Sequence, residues 1–106
     1  MKRGEIRWYR FKKPDKKRPV LILTRSAALE YLHEITVAPL TTTIRDIPTE
    51  ILLTKNDGLP QECCINVDHI QTVSKSRIGS LIAMLNEQKL IQVRDAVLFA
   101  LGYSGC

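Results

Sequence analysis

The apolar residues of this chain fall mainly into short runs, either alternating with polar residues or continuous, and this pattern is typical of β-strands. Polar segments separate the runs, and Asp57-Gly58 is the strongest turn signal among them. Strands are therefore predicted over residues 4–11, 20–24, 35–40, 50–54 and 78–85, with a strand pair or one bent strand over 63–67 and 69–73.

Helical periodicity is clear only near the C-terminal end. Asn86 is a favourable N-cap, and Gly102 stands where a helix is expected to stop. Between them, one apolar stripe at helical spacing is formed by Leu90, Val93, Val97, Leu98 and Leu101. A short helix capped by Ser26 is predicted over 27–32, and a helical turn over 74–77.

Many short strands with one terminal helix predict a mainly β fold, a small and partly open β-barrel that carries the helix on its flank. With 106 residues the chain has the length of one domain, predicted over 1–106. The apolar run that directly follows the basic N-terminal segment is 20–23, which is shorter than a signal peptide or a membrane span requires. We therefore expect a cytoplasmic protein with no membrane partner.

The cysteines do not suggest a disulfide framework or a metal site. They are Cys63, Cys64 and Cys106, an odd number with two adjacent residues. Neighbours on a strand point to opposite faces, so we expect reduced thiols, one buried and one exposed. A zinc site that included His69 would lack a C-x₂-C spacing and a clear fourth ligand, so neither a metal nor another cofactor is expected.

Positive charge is concentrated in the N-terminal part. The first 25 residues hold ten of the sixteen Lys and Arg residues and only two acids, so their formal charge is +8, against −3 for the other 81 residues. The same segment is predicted to be a strand, a basic loop and a second strand, which places the charge on a folded hairpin. Such a surface is typical of a domain that faces a polyanion, and nucleic acid is favoured over a membrane.

Two groups of residues are candidates for chemistry. Arg18 precedes Pro19, which restricts its backbone to an extended conformation, and its guanidinium is well shaped to bind phosphate. The competing interpretation of Arg18 is one more solvated cation. The three threonines at 41–43 close the third predicted strand and can hydrogen-bond phosphate or sugar oxygens, although threonine is also common in strands for its β-propensity alone.

Five motifs occur in one order along the chain: R-G-E-I at 3–6, K-R-P-V-L-I-L at 17–23, V-A-P-L-T-T at 37–42, D-G-L-P at 57–60 and D-H-I-Q-T-V-x-K-x-R at 68–77. This arrangement resembles the MazF/PemK family of toxins from bacterial toxin–antitoxin systems over nearly the whole chain. The resemblance implies an SH3-like barrel that forms a homodimer and binds a cognate antitoxin protein. It also implies a metal-independent, sequence-specific endoribonuclease that cuts single-stranded RNA to a 2′,3′-cyclic phosphate and a 5′-hydroxyl.

The resemblance also assigns individual residues. Arg18 matches the arginine of the family's R-P-V motif, and Thr41 matches the hydroxyl residue that closes its third-strand motif, so both are predicted to be catalytic. Asp68 matches an acidic position of some members, and His69 and Thr42 are further accessory candidates. For His69 a partly buried strand histidine is the alternative. RNA-binding contacts are predicted for the basic residues Lys12, Lys13, Lys16, Lys17 and Arg10.

Base recognition would need aromatic stacking platforms. Trp8, Tyr9 and Phe11 are the candidates, but strand alternation sends about half of them into the core. Trp8 is predicted to be a core residue.

Two competing functions stay open at this point. The first is a non-catalytic nucleic-acid-binding barrel that uses the same basic hairpin. The second is a CcdB-like toxin acting on gyrase, which would use a longer C-terminal tail with an aromatic residue at its end, whereas the segment 102–106 is short and ends in Ser-Gly-Cys.

Overall fold

The computed structural model describes residues 1–11 and 16–103, which form seven strands, one α-helix and four short 3₁₀ turns. The strands are β1 (Glu5–Arg10), β2 (Lys17–Ile22), β3 (Glu34–Thr41), β4 (Glu50–Leu53), β5 (Cys63–Asn66), β6 (Gln71–Ser74) and β7 (Ile78–Met84), and the helix is α1 (Glu87–Ala100). The 3₁₀ turns cover Ser26–Ala28, Lys55–Asp57, Val67–His69 and Lys75–Arg77. The predicted mainly β architecture with a C-terminal helix is confirmed.

Strand β3 organises the sheet. The strands pair in the order β4-β5-β3-β2-β1-β7, and β6 adds to β3. Along one edge β3 pairs with β2, whereas β6 and β5 share its other edge, one after the other. Strand β2 is therefore held on both sides by antiparallel neighbours, β1 and β3, and the residues at its ends have fixed cross-strand partners.

Strand β2 begins earlier than the sequence predicts. The ladder with β1 already includes Lys17 and Arg18, and Pro19 lies opposite Trp8 inside it. Proline is tolerated near the first residues of a strand because it gives up a hydrogen bond only where the ladder begins. Arg18 therefore belongs to the sheet itself and not to the loop before it.

Alternation along β1 and β2 produces two hydrophobic cores. Ile6 and Leu21 belong to the larger core, which α1 covers with Val93. Tyr9 and Val20 belong to a smaller core on the other face. Because both faces of these central strands are covered, even consecutive residues of β2 are buried, and only its first residues stay exposed.

Both ends of α1 are as predicted. Asn86 accepts the backbone N–H of Lys89 through Oδ1 at 2.8 Å, which caps the first turn. At the other end Gly102 has a φ of +80°, and its N–H donates to the carbonyl of Phe99 at 3.1 Å. The N–H of Tyr103 donates to the carbonyl of Leu98 at 2.7 Å, so the helix stops in a Schellman motif.

The buried face of α1 differs from the predicted stripe. Val93 and Ala96 are buried, whereas Leu98 is 38% exposed and Leu101 is 60% exposed. A position five residues from Val93 lies well around the helix from it, because each residue turns about 100°. The small side chains of Ala96 and Ala100 complete the core face, so Leu98 and Leu101 remain available at the surface.

Two further predictions are wrong. The hydroxyl of Ser26 accepts the N–H of Arg3 at 3.0 Å and caps nothing, and only the 3₁₀ turn Ser26–Ala28 forms instead of a helix. Cys63 and Cys64 are both buried, because Cys63 packs in the larger core and Cys64 lies against the segment that follows β3. No helix in the ranges 1–11 and 16–103 is long and apolar enough to cross a membrane.

Candidate active site

Arg18 lies at the end of the β1–β2 hairpin. Its cross-strand partner is Tyr9, which is buried, while Arg18 itself is exposed. The N–H of Phe11 donates to the carbonyl of Lys16 at 3.0 Å and continues the hairpin beyond this pair. Within residues 1–11 and 16–103, none of the side-chain hydrogen bonds or ion pairs involves the Arg18 guanidinium. A fixed backbone thus presents an exposed, positively charged group at the hairpin end.

The β2–β3 register brings Thr41 to the same place. Val20 pairs with Pro39 in this antiparallel ladder. The β2–β3 ladder ends at this pair, and its register, extended by two residues toward the hairpin end, leads to Arg18 on β2 and Thr41, the last residue of β3. The even spacing from Val20 and Pro39 directs both side chains to the same face of the sheet. The two predicted catalytic residues are therefore neighbours on adjacent strands.

The Thr41 hydroxyl is oriented by the chain that follows it. Oγ1 accepts the backbone N–H of Thr43 at 3.1 Å, which forms a small side-chain turn at the strand end. A hydroxyl that accepts one bond can still donate its own hydrogen. Thr41 is half-buried, so that hydrogen has access to solvent beside Arg18. A cation and a hydroxyl donor on one face suit the non-bridging oxygens of a phosphodiester.

Cys64 supports the same turn from beneath. It is the cross-strand partner of Thr41 on β5 and is fully buried. Its Sγ donates to the carbonyl of Thr43 at 3.6 Å. Burial, helped by the neighbouring Glu50 carboxylate, raises the pKa of the Cys64 thiol to about 11. At neutral pH the sulfur therefore keeps its proton and serves as a donor, not as a nucleophile.

Glu50 fixes the next part of this segment. Its Oε1 accepts the backbone N–H groups of Arg45 at 2.8 Å and Asp46 at 3.0 Å. The Arg45 guanidinium lies 3.8 Å from Oε2 of the same carboxylate. Asp46 has a φ of 56°, a left-handed conformation that a residue with a side chain adopts mainly where its surroundings hold it. The turn after Thr41 is thus held by the buried side chains of Cys64 and Glu50.

The accessory candidates lie along the other edge of β3. Asp68 and His69 belong to the 3₁₀ turn between β5 and β6, whereas Arg18 lies across the β2 edge. Oδ2 of Asp68 accepts the hydroxyl of Thr49 at 2.6 Å, which ties this turn to the start of β4. His69 is exposed on the turn, so the alternative of a partly buried strand histidine is wrong. Thr42 is exposed just beyond the end of β3.

Basic residues surround Arg18 at the hairpin end. Arg10 and Lys17 are directly opposite each other on β1 and β2, and both are exposed. Lys16 is also exposed and continues the cluster. The other two predicted RNA-binding residues, Lys12 and Lys13, lie outside the described residues. The described part of the cluster forms a positively charged rim beside the Arg18–Thr41 pair.

The structure corrects the prediction for Trp8 and adds Arg77 to the hairpin end. Trp8 is 37% exposed, and Tyr9 is the buried aromatic residue, with its ring 4.7 Å from that of Phe11 in an edge-to-face contact. Alternation alone could not tell which of the two neighbours faces the core. Arg77 donates from NH1 to the carbonyl of Arg10 at 3.2 Å. Its only signal in the sequence was its place at the end of the motif 68–77.

The residues of this region suit electrostatic catalysis on a phosphodiester. Arg18 supplies a permanent positive charge and Thr41 a hydrogen-bond donor on the same face. Within the described parts of the chain, no three His, Cys, Asp or Glu side chains are grouped in a way that could hold a metal ion.

Comparisons with known proteins identify the family to which this chain is similar. A family model described as the PemK-like, MazF-like toxin of type II toxin–antitoxin systems matches residues 2–101. The endoribonuclease MazF3 of Mycobacterium tuberculosis is 42% identical over 71 residues, which cover 67% of this chain and 69% of that protein. The probable endoribonuclease MazF5 of the same organism is 31% identical over 103 residues, which cover 96% of this chain and 94% of that protein.

Solved structures share the fold. The Mycobacterium tuberculosis toxin MazF-mt6 matches with a TM-score of 0.85 at 34% identity, over 92% of this chain and 96% of that one. An endoribonuclease in complex with its cognate antitoxin, from Mycobacterial species, matches with a TM-score of 0.84 at 25% identity, over 96% of this chain and 95% of that one.

Proposed function

This chain belongs to the family of PemK-like, MazF-like toxins of type II toxin–antitoxin systems, and we propose that it is an endoribonuclease that cuts single-stranded mRNA at specific sequences. The observation that carries the proposal is the register of β2 with β3, whose extension leads to Arg18 and Thr41 at neighbouring strand ends, next to the exposed cations of the hairpin end. Relatives named as endoribonucleases support the activity.

The proposed reaction uses the 2′-hydroxyl of the RNA as the nucleophile. The bond from O2′ to phosphorus forms while the bond from phosphorus to O5′ breaks, which leaves a 2′,3′-cyclic phosphate and a 5′-hydroxyl. The proton of the 2′-hydroxyl passes to a base, and the departing O5′ takes up a proton. No cofactor or metal is needed to balance this transesterification.

Arg18 and Thr41 act on the charge that develops at phosphorus. The pentacoordinate transition state carries more negative charge on its non-bridging oxygens than the substrate does, so donors placed there bind it more strongly. The Arg18 guanidinium stabilises this charge and stays protonated, which makes it a clamp and not the general base. The Thr41 hydroxyl, oriented by Thr43, donates to one non-bridging oxygen or to O2′. Asp68, His69 and Thr42 stay accessory candidates.

The rim of cations brings the substrate to this pair. We assign Arg10, Lys16 and Lys17, together with Lys12 and Lys13 of the hairpin loop, to sequence-independent contacts with RNA phosphates. Such contacts attract RNA over several ångströms and weaken as salt rises. Since the proposed substrate is mRNA, the compartment we propose is the cytoplasm.

We also propose two protein partners. A cognate antitoxin would cover the positive rim with an acidic segment, as charge complementarity favours, and a structural neighbour is an endoribonuclease in complex with its cognate antitoxin. A second copy of the chain is the other partner. The exposed side chains of Ile91, Leu98 and Leu101, spaced by seven and three residues, lie on one side of α1 and supply apolar surface for a homodimer.

The activity is tested with end-labelled RNA incubated with the purified protein in EDTA, followed by mapping of both ends of each product. We expect cuts that leave a cyclic phosphate and a 5′-hydroxyl. Arg18→Ala should lower kcat by at least about 100-fold, and Thr41→Val by about 10-fold, because each removes a donor to the transition state. Arg25→Ala, which removes an exposed arginine just beyond β2, is the matched control and should cleave like the parent protein.

The outcomes separate the competing functions. Circular dichroism should show that Arg18→Ala keeps its fold, because this side chain is exposed. A protein that binds RNA without cutting it is the non-catalytic barrel. Absence of any cut, a strict need for metal, or an Arg25→Ala variant as inactive as Arg18→Ala would contradict the proposal.

A further inference from the structure

A groove of about 440 Å³ lies beside the hairpin end, between β1, the start of β2 and the start of β7. Trp8 and Arg10 form one wall, Lys17 comes from β2, and the opposite wall belongs to the segment 76–80. Lys17 and Arg18 are consecutive strand residues, so their side chains leave opposite faces of the hairpin. The groove is therefore separate from the Arg18–Thr41 pair but adjoins it through one strand. Its volume is that of a small-ligand site.

The charged residues that line the groove are all positive. Its lining contains three charged residues, Arg10, Lys17 and Arg77, and all three are cations. No carboxylate contributes to the lining within the described ranges. Two of the cations, Arg10 and Lys17, are direct cross-strand neighbours, an arrangement that costs stability unless an anion neutralises it. The electrostatics point to an anionic ligand.

Trp8 adds a flat aromatic surface to these cations. It is the only tryptophan of the chain, and it is 37% exposed. Proteins that bind single-stranded nucleic acids combine aromatic side chains, on which bases stack, with cations that contact phosphates. An acidic peptide would meet the same charges, but the indole ring and the mostly polar walls favour a base over apolar peptide side chains.

The walls of the groove are held in place before any ligand binds. Arg7 donates from NH1 to the carbonyl of Gly79 at 2.9 Å, and its Nε donates to Glu5 at 2.7 Å. Burial alone would raise the pKa of Glu5, but the hydrogen bond and the charge of Arg7, together with a backbone hydrogen bond from Lys2 and the charged N-terminus, hold that pKa below its ordinary value. Arg77 bonds the carbonyl of Arg10 at 3.2 Å. Two arginines thus cross-link β1 with β7 and the turn before it.

An irregular stretch of β7 lies along the groove. The register between β1 and β7 shifts on both sides of Arg7, so β7 has more residues than β1 over this stretch. The extra length places Gly79 beside Trp8, where a Cβ atom would lie 3.4 Å from the Trp8 carbonyl oxygen. The short residues at this point leave space in front of the indole ring.

We propose that this groove is a second RNA subsite, which binds a nucleotide flanking the cleaved bond. The base stacks on Trp8, and the adjoining phosphates contact Arg10 and Lys17. The inference rests on the proposed ribonuclease function and extends its footprint, because the RNA that passes Arg18 continues around the hairpin end. Longer substrates should therefore bind more tightly than minimal ones.

Tryptophan fluorescence tests the subsite directly, since Trp8 is the only tryptophan. The full-length Arg18→Ala variant, which is expected not to cut, is titrated with single-stranded RNA of about four and about twelve nucleotides, within the range of known single-strand sites. Binding is measured independently by the anisotropy of a label on the RNA. The longer RNA should quench the emission with the same midpoint as the anisotropy. Saturating anisotropy with unchanged emission would overturn the subsite.

Cleavage kinetics provide a second measurement. Trp8→Ala should lower kcat/KM on the long RNA by about tenfold, the loss of one stacked base, and leave the short RNA almost unaffected. Trp8→Phe should recover most of the loss because it restores an aromatic face. Tyr31→Ala, which removes an aromatic residue that is 77% exposed on another part of the surface, is the control and should behave like the parent protein.

A further variant covers the case in which Trp8→Ala does not fold. Ser80→Glu places a carboxylate at an exposed position of the groove and should weaken binding of the long RNA. If the parent protein cuts RNA and both groove variants match it, the subsite is wrong and the cleavage function stands. If the parent protein does not cut, the ribonuclease proposal fails. If groove variants lose only the binding of an acidic peptide, the groove is a peptide site and the RNA subsite is wrong.

Discussion

Two regions meet at the candidate active site, and they differ in burial: the turn after Thr41 is fixed by buried side chains, whereas the end of the β1–β2 hairpin is exposed. The turn after Thr41 is fixed by buried partners, because Cys64 donates to the Thr43 carbonyl and Glu50 accepts two backbone N–H groups. The end of the β1–β2 hairpin presents exposed cations, with Arg10 and Lys17 directly opposite each other. One region supplies fixed geometry and the other supplies charge.

This difference shows where the fold gives up stability for function. Like charges on paired strands are unfavourable for folding, and a bound polyanion would remove the repulsion. A hydroxyl that must meet a transition state needs an accurate position, and buried hydrogen bonds provide it. Substitutions on the two sides should therefore affect different measured quantities, turnover on one side and salt dependence on the other.

Among substitutions that compare the two regions, the largest effect is expected from Glu50→Gln. The amide keeps an acceptor for the turn but loses the charge that strengthens the bonds to the N–H groups of Arg45 and Asp46. The free energy of unfolding should fall by about 1–2 kcal/mol, and kcat should fall severalfold with an unchanged salt slope. Urea unfolding and single-turnover cleavage measure the two. Glu30→Gln, at an exposed position, is the control, and an equal effect there would remove the distinction between the regions.

A smaller effect is expected from Lys16→Ala on the other side. Because Lys16 is exposed, its removal should leave the stability and the maximal rate close to those of the parent protein. RNA affinity should fall by a few fold, and the slope of log K against log salt should decrease by about 0.7, the contribution of one phosphate contact on a single strand. Binding isotherms at several salt concentrations measure it. A changed kcat with an unchanged salt slope would contradict this role, because it would show that Lys16 affects the geometry of the active site and not the electrostatic binding of RNA.

The smallest effect at neutral pH concerns the pH dependence of stability through Cys64. Burial raises the pKa of its thiol to about 11 in the folded protein, above the ordinary value of 9.0. The folded state therefore keeps this proton where the unfolded state loses it, and the free energy of unfolding should fall as pH rises from about 9 toward 11. Urea unfolding of Cys64→Ala should show a weaker decline over that window. Rapid alkylation of native Cys64 near pH 8 would contradict its buried, protonated position.

Much of the site could be predicted from the sequence. The order of strands, the N-cap Asn86 and the stop at Gly102 follow from local patterns that the tertiary structure did not alter. The cation cluster also follows from sequence, because a short hairpin keeps its charged residues together. Arg18 and Thr41 were assigned by resemblance, and the antiparallel register of β2 with β3 is what leads to both of them at neighbouring strand ends.

Tertiary structure decided which surface of each element is covered. Alternation requires that Trp8 and Tyr9 point in opposite directions, but only packing against Val20 and Ile35 determined that Tyr9 is buried and Trp8 exposed. Cys63 is buried because its side chain packs in the larger core, which the sequence alone does not reveal.

In helix α1, too, the ends depend on local sequence and the buried face depends on packing. The sequence determined where α1 begins and ends, since caps and stops depend on neighbouring residues alone. It did not determine that Ala96 faces the core while Leu98 faces outward, because that depends on where the sheet lies. Local chemistry thus determined the elements and the charge of this protein, and long-range packing decided which side chains remain at the surface to meet a ligand.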